Sequence, residues 1–161
     1  MKMCNSEAMK AIKELESKKR KLIYNEDYHS KISYKEGEEK VLPTYDYSQT
    51  RKEIYEIDER VRKIKHALAV CNCNTVIDDF GITIGEALVY LAQLNAEYAQ
   101  LDEMSENVKL SRRITPNGII EYTECMYDPE QVAKDMEKLH AKIGKLQIAI
   151  DRANLTNYID V

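Results

Sequence analysis

Apolar residues recur at spacings of three and four along four stretches of the chain, which is the pattern of amphipathic helices. The first stretch spans 6–27, and the most regular apolar seams lie in 48–72 and 128–153. The third stretch begins at Thr83-Ile84-Gly85-Glu86, which has the form of a capping box. The fourth begins with Asp128-Pro129, an N-cap residue followed by proline at the first helical position. The sequence therefore predicts four long helices.

Two short β-prone runs lie between the third and fourth helices. They are 109–115 and 119–126, and they flank Pro116-Asn117-Gly118. Asn-Gly between two such runs is a strong signal for a β-hairpin. With Asn-Gly as a two-residue turn, we expect Arg113 to lie opposite Tyr122.

A weaker signal of the same kind lies between the first and second helices. There, in residues 30–42, two short runs flank Glu36-Gly37. This pattern leaves two alternatives open, a second β-hairpin and an irregular loop.

The order helix, hairpin, helix runs twice along the chain, and the sequence repeats with it. A shift of 82 residues aligns 45–78 with 127–160 without a gap and gives nine identities in 34 pairs, and a shift of 79 aligns the first seam with the third. We therefore predict one domain, 1–161, built from two copies of an α-β-β-α unit, 1–80 and 81–161. The fold class is mainly α with small β-hairpins, and we expect a pseudo-two-fold antiparallel four-helix bundle with long helices.

Each half ends its second helix in a cluster of amide and hydroxyl side chains. Asn72, Asn74 and Thr75 lie at the end of the second helix, and Asn154 and Thr156 lie at the end of the fourth. Such residues cap the C-termini of helices, because Asn tolerates the left-handed conformation and both types bond to free carbonyls. They can also present polar groups to a ligand, so we regard all five as candidate ligand-binding residues.

The most suggestive basic pair is Arg112-Arg113. Adjacent strand residues face opposite sides of a hairpin, so only one arginine lies on each face. One of them is expected to pair with Glu121 or Glu124 across the strands. The other, with Tyr122 stacked nearby, is a candidate fork for a carboxylate or a phosphate.

Composition narrows the set of partners. The formal net charge of −4 disfavours binding to nucleic acid polymers, and no apolar run approaches the about 20 residues that cross a bilayer. The N-terminal residues are charged where a signal peptide is apolar, so we expect a cytoplasmic protein without membrane contact. Eleven Tyr, one Phe and no Trp indicate side chains suited to interfaces and to the rims of polar pockets.

Catalytic and cofactor motifs are missing from the sequence. The three histidines are scattered, and none has the spacing of a metal-ligand pair. No nucleophile elbow, Walker loop or dinucleotide fingerprint is present. We therefore expect no enzyme activity, no catalytic residue, no metal and no cofactor.

Three segments together resemble a family of small uncharacterised bacterial helical proteins, some of which are labelled septicolysin. The segments are KHALAVCNCNT, GITIGEALVYLAQLN and LQIAIDRANLT. The resemblance covers most of the chain and implies the same helical architecture, but its motifs name no chemistry. The cytolysin label implies pore formation, which needs a segment able to enter lipid, and no stretch here is apolar enough or has a basic amphipathic face.

Two functions fit these features. The first is a non-enzymatic homo-oligomeric protein that holds or sequesters a small polar or anionic, nucleotide-like ligand, as some small phage or bacterial proteins do with signalling nucleotides. The alternative is a structural or adaptor protein that binds a protein partner through a Tyr-rich surface.

Overall fold

The computed structural model describes residues 2–161, and these residues are mainly helical. The helices are α1 (Asn5–His29), α2 (Tyr47–Asn74), α3 (Ile84–Ser105) and α4 (Pro129–Thr156). They confirm the four helices that the apolar seams predict. The short strands are β1 (Lys2–Cys4), β2 (Val76–Ile77), β3 (Ile82–Thr83), β4 (Leu110–Ile114), β5 (Ile120–Glu124) and β6 (Tyr158–Asp160).

The chain divides into two units, and the first joins the residues up to Asn74 to Asn154–Val161. In this unit α1 packs against α2, and β1 pairs antiparallel with β6, so that Met3 lies opposite the equally buried Ile159. The helices contribute small and branched aliphatic side chains to the core. These are Ala8, Ile12, Ile57, Val61 and Ile64.

Lys19 interrupts the apolar seam of α1, and a carboxylate on α2 accounts for it. The ammonium nitrogen Nζ donates to both carboxylate oxygens of Asp58 at 2.7 Å. Both side chains are about one-third exposed, so the two charges are paired with each other and stay partly hydrated. A lysine in the seam is therefore compatible with packing of α1 on α2.

Residues 30–46 form an irregular loop, which decides between the two alternatives for 30–42. The turn at Glu36-Gly37 forms, with the Glu38 N–H donating to the Lys35 carbonyl at 3.1 Å, but no strand flanks it. Val41 and Leu42 are 85% and 75% exposed, and a hairpin without a covered face is marginal in water. The first half of the chain therefore has a loop where the second half has a hairpin.

The second unit comprises Thr75–Ala153, and its core lies between α3 and α4. Strands β2 and β3 pair antiparallel, with Ile77 opposite Ile82. A tight turn joins them, and the Gly81 N–H donates to the Ile77 carbonyl at 2.8 Å. Six of the buried helix residues lie at positions of the predicted apolar seams. They are Ala87, Leu94, Leu139, Leu146, Ile150 and Ala153, and Ile84 and Ala149 are buried beside them.

A capping box starts α3, as the sequence predicts. The Thr83 N–H donates to Oε2 of Glu86 at 2.8 Å, and the Glu86 N–H donates to the Thr83 hydroxyl at 3.2 Å. These bonds satisfy two of the free N–H groups at the helix start. They also hold the pKa of the Glu86 carboxyl below its ordinary value, because the Thr83 N–H and hydroxyl both donate to the ionised form.

The hairpin between α3 and α4 forms as predicted, but the predicted register is wrong by one residue. Arg113 lies opposite Glu121, and Arg112 lies opposite Tyr122. The expected pairing of Arg113 with Tyr122 therefore does not occur.

The loop of the hairpin explains the difference in register. The Gly118 N–H donates to the Thr115 carbonyl at 2.9 Å, and the Thr115 N–H donates to the Ile119 carbonyl at 2.8 Å. Gly118 has φ +76°, so Pro116 and Asn117 form the centre of a turn that Gly118 closes in the left-handed conformation. The loop has three residues rather than two, which shifts every cross-strand partner by one.

Candidate functional site

Arg113 is committed to a partner within the hairpin. Its Nε donates to Oε2 of Glu121 at 2.7 Å, and its Nη2 lies 2.6 Å from the same oxygen. Both side chains are exposed, and the pair joins directly opposite positions of β4 and β5. Of the two predicted roles for the arginine pair, Arg113 thus has the cross-strand ion pair with Glu121.

Arg112 lies on the other face of the hairpin, opposite Tyr122. Neither side chain forms a hydrogen bond or an ion pair with any residue of the described range 2–161. Tyr122 is 64% exposed, and Arg112 is also exposed. These two candidates are therefore available for contact with another molecule, but they stand on an open sheet face rather than in a cavity.

Two of the candidate amides meet on a residue that sequence reasoning missed. The side-chain nitrogen of Asn5 lies 3.4 Å from Oδ1 of Asn72 and 3.5 Å from Oδ1 of Asn154. Asn5 is only 1% exposed, and its own Oδ1 has no hydrogen-bond partner in the described part of the chain. The three amides form a polar cluster around the buried Asn5 in the first unit, which we call the asparagine cluster.

The asparagine cluster fixes the start of α1. Asn72 and Asn154 lie within the last turns of α2 and α4, and both accept from the first residue of α1. The backbone N–H of Asn5 also donates to the Asn157 carbonyl at 3.2 Å. The signal available in the sequence was one polar residue directly before an apolar seam, but its partners are 67 and 149 residues away.

The remaining polar candidates lie at or directly after the ends of α2 and α4. Asn74 and Thr156 are the last residues of α2 and α4, and both are exposed. The carbonyl of Thr75 accepts the Ile84 N–H at 2.9 Å, which places Thr75 beside the start of α3. Thr75 is half-buried.

The second unit carries a groove of about 410 Å³ that sequence reasoning also missed, and we call it the Phe80 groove. Phe80, Ile148 and Ala149 give it apolar walls, and its volume is within the range of small-ligand sites. Phe80 belongs to the β2–β3 turn, whereas the other two side chains lie on one face of α4. The sequence signal available was the sole phenylalanine of the chain.

Charged side chains complete the Phe80 groove. Arg152 Nη1 lies 3.6 Å from Asp79 Oδ2, and both side chains are about two-thirds exposed. Lys145 lies one turn before Ile148 and makes no hydrogen bond or ion pair with another described residue. With two cations and one carboxylate, the groove has an excess of positive charge although the whole chain is acidic.

A larger groove of about 740 Å³ lies in the first unit along α1 and α2. Its floor includes Leu15 and Ile57, and its rim alternates basic and acidic side chains. Lys63 Nζ, for example, lies 2.8 Å from Glu59, and this ion pair lowers the pKa of that carboxyl. Among the described residues its lining has no aromatic side chain, so this groove offers no ring for a base to stack on, whereas the Phe80 groove does.

Metal ions and membranes are two further candidate partners for the range 2–161. No three His, Cys, Asp or Glu side chains in that range are arranged to hold a metal ion. No helix in the same range combines the length and the apolar character needed to cross a bilayer.

Comparisons with known proteins identify the fold but not a function. A scan against protein-family models finds no match, and a search of curated proteins finds none either. Among solved structures, the chain is similar to a functionally unknown conserved protein from Corynebacterium diphtheriae. The TM-score is 0.73 at 16% sequence identity, over 99% of this chain and 100% of that one. The likeness shows a shared fold, and the resemblance to the septicolysin family stays a prediction.

Proposed function

We propose that this protein is a non-enzymatic homo-oligomeric binding protein that holds a small anionic, nucleotide-like ligand. The observation that carries the proposal is the Phe80 groove, which combines an aromatic ring and aliphatic walls with the uncommitted ammonium group of Lys145. An apolar cleft with a few placed polar groups is the usual form of a small-molecule site.

The chemistry of the groove favours a ligand with one flat apolar part and one anionic part. A base stacked on the Phe80 ring contributes about 1–3 kcal/mol. Lys145 supplies a point charge of the kind that binds phosphate, and Arg152 supplies a second cation that already lies beside Asp79. A mononucleotide has both parts, whereas a simple carboxylate has only the anionic part and a neutral sugar has neither.

We also propose that the two halves of the chain arose by duplication of one unit. Val76 lies opposite Thr83, and Tyr158 lies opposite Cys4. The shift of 82 residues relates Val76 to Tyr158, and the shift of 79 relates Thr83 to Cys4. The two strand pairs therefore occupy equivalent positions in the two halves. The helix caps also agree with a duplication. The shift of 82 residues relates Asp46 to Asp128, and each of these carboxylates accepts a backbone N–H group at the start of a helix. The pseudo-two-fold four-helix bundle stays a prediction.

A second candidate function is an adaptor that meets a protein partner through a Tyr-rich surface. Tyr24 and Tyr28 on α1 are stacked with ring centroids 6.4 Å apart, and each is 72% exposed. Tyr47 and Tyr55 on α2 are 65% and 69% exposed. Exposed tyrosines at this density favour a protein contact, and a defined protein partner without any bound small molecule would identify this alternative.

Two measurements test the ligand proposal. Native mass spectrometry of the gently purified protein should show bound mass that falls away on denaturation. Isothermal titration with adenosine and guanosine monophosphates should show binding that Phe80→Ala and Lys145→Glu each weaken about tenfold or more, because they remove the stack and the charge.

Lys134→Glu is the matched control for these variants. It makes the same charge change on α4, at an exposed residue outside the groove, and it should leave the affinity unchanged. Absence of binding to the wild type, or equal affinities for wild type and Phe80→Ala, would contradict the Phe80 groove as the site.

A further inference from the structure

The β4–β5 hairpin has one polar and one largely apolar face, and the apolar face is not covered by the chain. The register places Leu110, Ile114, Ile120 and Tyr122 on the same side, and they are 45–65% exposed. The opposite side carries Arg113 paired with Glu121. Water therefore meets the face that a two-stranded hairpin needs to bury for stability.

Two exposed apolar residues adjoin the apolar face at the ends of the strands. The Cys125 N–H donates to the Lys109 carbonyl at 2.9 Å, so the backbone pairing continues by one residue on each side. Val108 and Met126 lie directly next to this pair in the chain and are 69% and 84% exposed. With the four strand residues they present on the order of 700 Å², close to the about 800 Å² that each partner buries in a standard interface.

Two charges on this face make it complementary to itself. Arg112 lies opposite Tyr122, and Glu124 lies opposite Leu110, so both charges are on the apolar side. Neither forms an ion pair with another residue of the described range. In a two-fold contact every interaction occurs twice, so Arg112 can meet Glu124 of the partner subunit while Glu124 meets the partner's Arg112.

We propose that the apolar face of the β4–β5 hairpin is the self-association surface of this protein, and that its occupant is the same face of a second copy. Together with the two adjoining residues, the face would bury six apolar side chains per copy and form two Arg112–Glu124 ion pairs between copies. A partner of different sequence would need its own matching pair of charges, whereas a second copy supplies it through symmetry.

The inference rests on the homo-oligomeric part of the proposed function and names the surface that would carry it. Sedimentation equilibrium across the micromolar and submillimolar range measures the dimer dissociation constant. Arg112→Glu and Glu124→Arg should each raise that constant at least tenfold, because each places like charges against one another twice. The double variant R112E/E124R should restore dimerisation, because it reverses both charges of each pair.

Two further variants separate the surface from a general effect on folding. Ile120→Lys should also abolish the dimer, because it puts a charge into the centre of the apolar face. R113E/E121R is the matched control: it makes the same charge exchange on the opposite face and should leave the dimer intact. Far-ultraviolet circular dichroism should give the same helical signal for every variant, since the hairpin lies outside the helices.

Three outcomes would overturn the inference. They are a wild type that stays monomeric throughout, a dimer that tolerates Ile120→Lys, and an R112E/E124R variant that remains as monomeric as the single variants. Mononucleotide titration of the monomeric variants separates this inference from the ligand proposal. If the monomeric variants still bind the nucleotide and only the Phe80→Ala variant loses binding, the result supports both proposals. A hairpin-dependent dimer that binds no nucleotide would support the self-association surface and contradict the ligand proposal.

Discussion

Arg113 and Glu121 face each other directly across the β4–β5 hairpin, with 2.6 Å between guanidinium Nη2 and carboxylate Oε2. Of the two neighbouring arginines, Arg112 is the one that forms no hydrogen bond or ion pair with another described residue. The two neighbours therefore have different roles although they are chemically identical. Arg113 joins the strands, and Arg112 is directed at whatever meets the apolar face.

The first prediction separates these two roles. Arg113→Ala should lower the free energy of unfolding by less than about 1 kcal/mol, because both members of the ion pair are exposed. Arg112→Ala should leave it unchanged when unfolding in urea is measured at a concentration where the protein is monomeric. A double-mutant cycle with Glu121→Ala gives the coupling energy of the pair. A larger loss for Arg112→Ala than for Arg113→Ala would contradict this assignment.

Helix starts could be predicted from sequence because their signals are local. Thr83 and Glu86 are three residues apart, and their hydrogen bonds need no other part of the chain. The same holds for Asp128, whose Oδ1 accepts the Glu130 N–H at 3.1 Å. Apolar spacing of three and four also identified the buried positions, since it reflects the geometry of one helix.

The hairpin register could not be predicted from Asn-Gly alone. That dipeptide fits a two-residue turn, but the preceding Pro116 fits the second position of a longer turn closed by Gly118. The choice between the two turns depends on which register gives the more favourable cross-strand contacts. In the observed register Arg113 forms an ion pair with Glu121. This shift of one residue in register decides which of the two arginines is free to contact another molecule.

The asparagine cluster and the Phe80 groove could not be predicted because they depend on tertiary contacts. Asn5 contacts residues 67 and 149 positions away. Phe80 meets Ile148 only when the β2–β3 turn packs beside α4. Periodicity reports which side of an element is buried, but it carries no information on which distant side chain covers it.

The second prediction concerns the capping box of α3. Thr83→Ala should cost about 1 kcal/mol of stability, as for other N-cap threonines. Glu86 has a pKa below its ordinary value of 4.5 in the folded state, so the unfolded chain binds more protons in that range. Its contribution is complete above pH 4.5 and is lost as the pH falls through the folded value.

Thermal unfolding as a function of pH checks this sign. The wild type should be more stable than Glu86→Gln at pH 7, and the difference should shrink as the pH falls below 4.5. Glu97→Gln is the control, because Glu97 is exposed on the same helix and forms no hydrogen bond with a described residue. A difference for Glu86→Gln that grows on acidification would contradict the role of the ionised carboxylate.

The third prediction introduces a charge into the asparagine cluster. Asn5→Asp should cost about 3 kcal/mol at pH 7, because an ionised carboxylate would face the Oδ1 atoms of Asn72 and Asn154 in a buried site. The helix N-terminus offsets only about 0.3–1 kcal/mol of this cost. Burial should therefore raise the pKa of the new carboxyl in the folded state.

The pH dependence distinguishes this charge effect from a change in packing. With a raised folded pKa, the penalty should grow as the pH rises above the unfolded value of about 3.9 and shrink on acidification. Asn5→Ala, which removes the amide without adding a charge, should show no such dependence. Urea unfolding at pH 4 and at pH 7 measures the stability of both variants. Equal losses of stability for Asn5→Asp at the two pH values would contradict the charge effect.

The fourth prediction is a stabilising change at Gly144, in the middle of α4. A Cβ added there would meet no atom within 4 Å, and the backbone has no positive φ. Glycine at such a position costs about 0.5–1 kcal/mol relative to alanine, because the unfolded chain loses more conformational freedom on folding. Gly144→Ala should raise the free energy of unfolding by that amount in urea titrations.

Gly118→Ala is the contrasting control, because open space alone does not make a glycine replaceable. A Cβ at Gly118 also meets nothing within 4 Å, but the residue has φ +76°, where an L side chain costs about 1–2 kcal/mol. The two variants should therefore change the stability in opposite directions. Stabilisation by Gly118→Ala would mean that the hairpin loop does not depend on the left-handed glycine, and loss of stability in Gly144→Ala would mean that α4 buries this position against another chain.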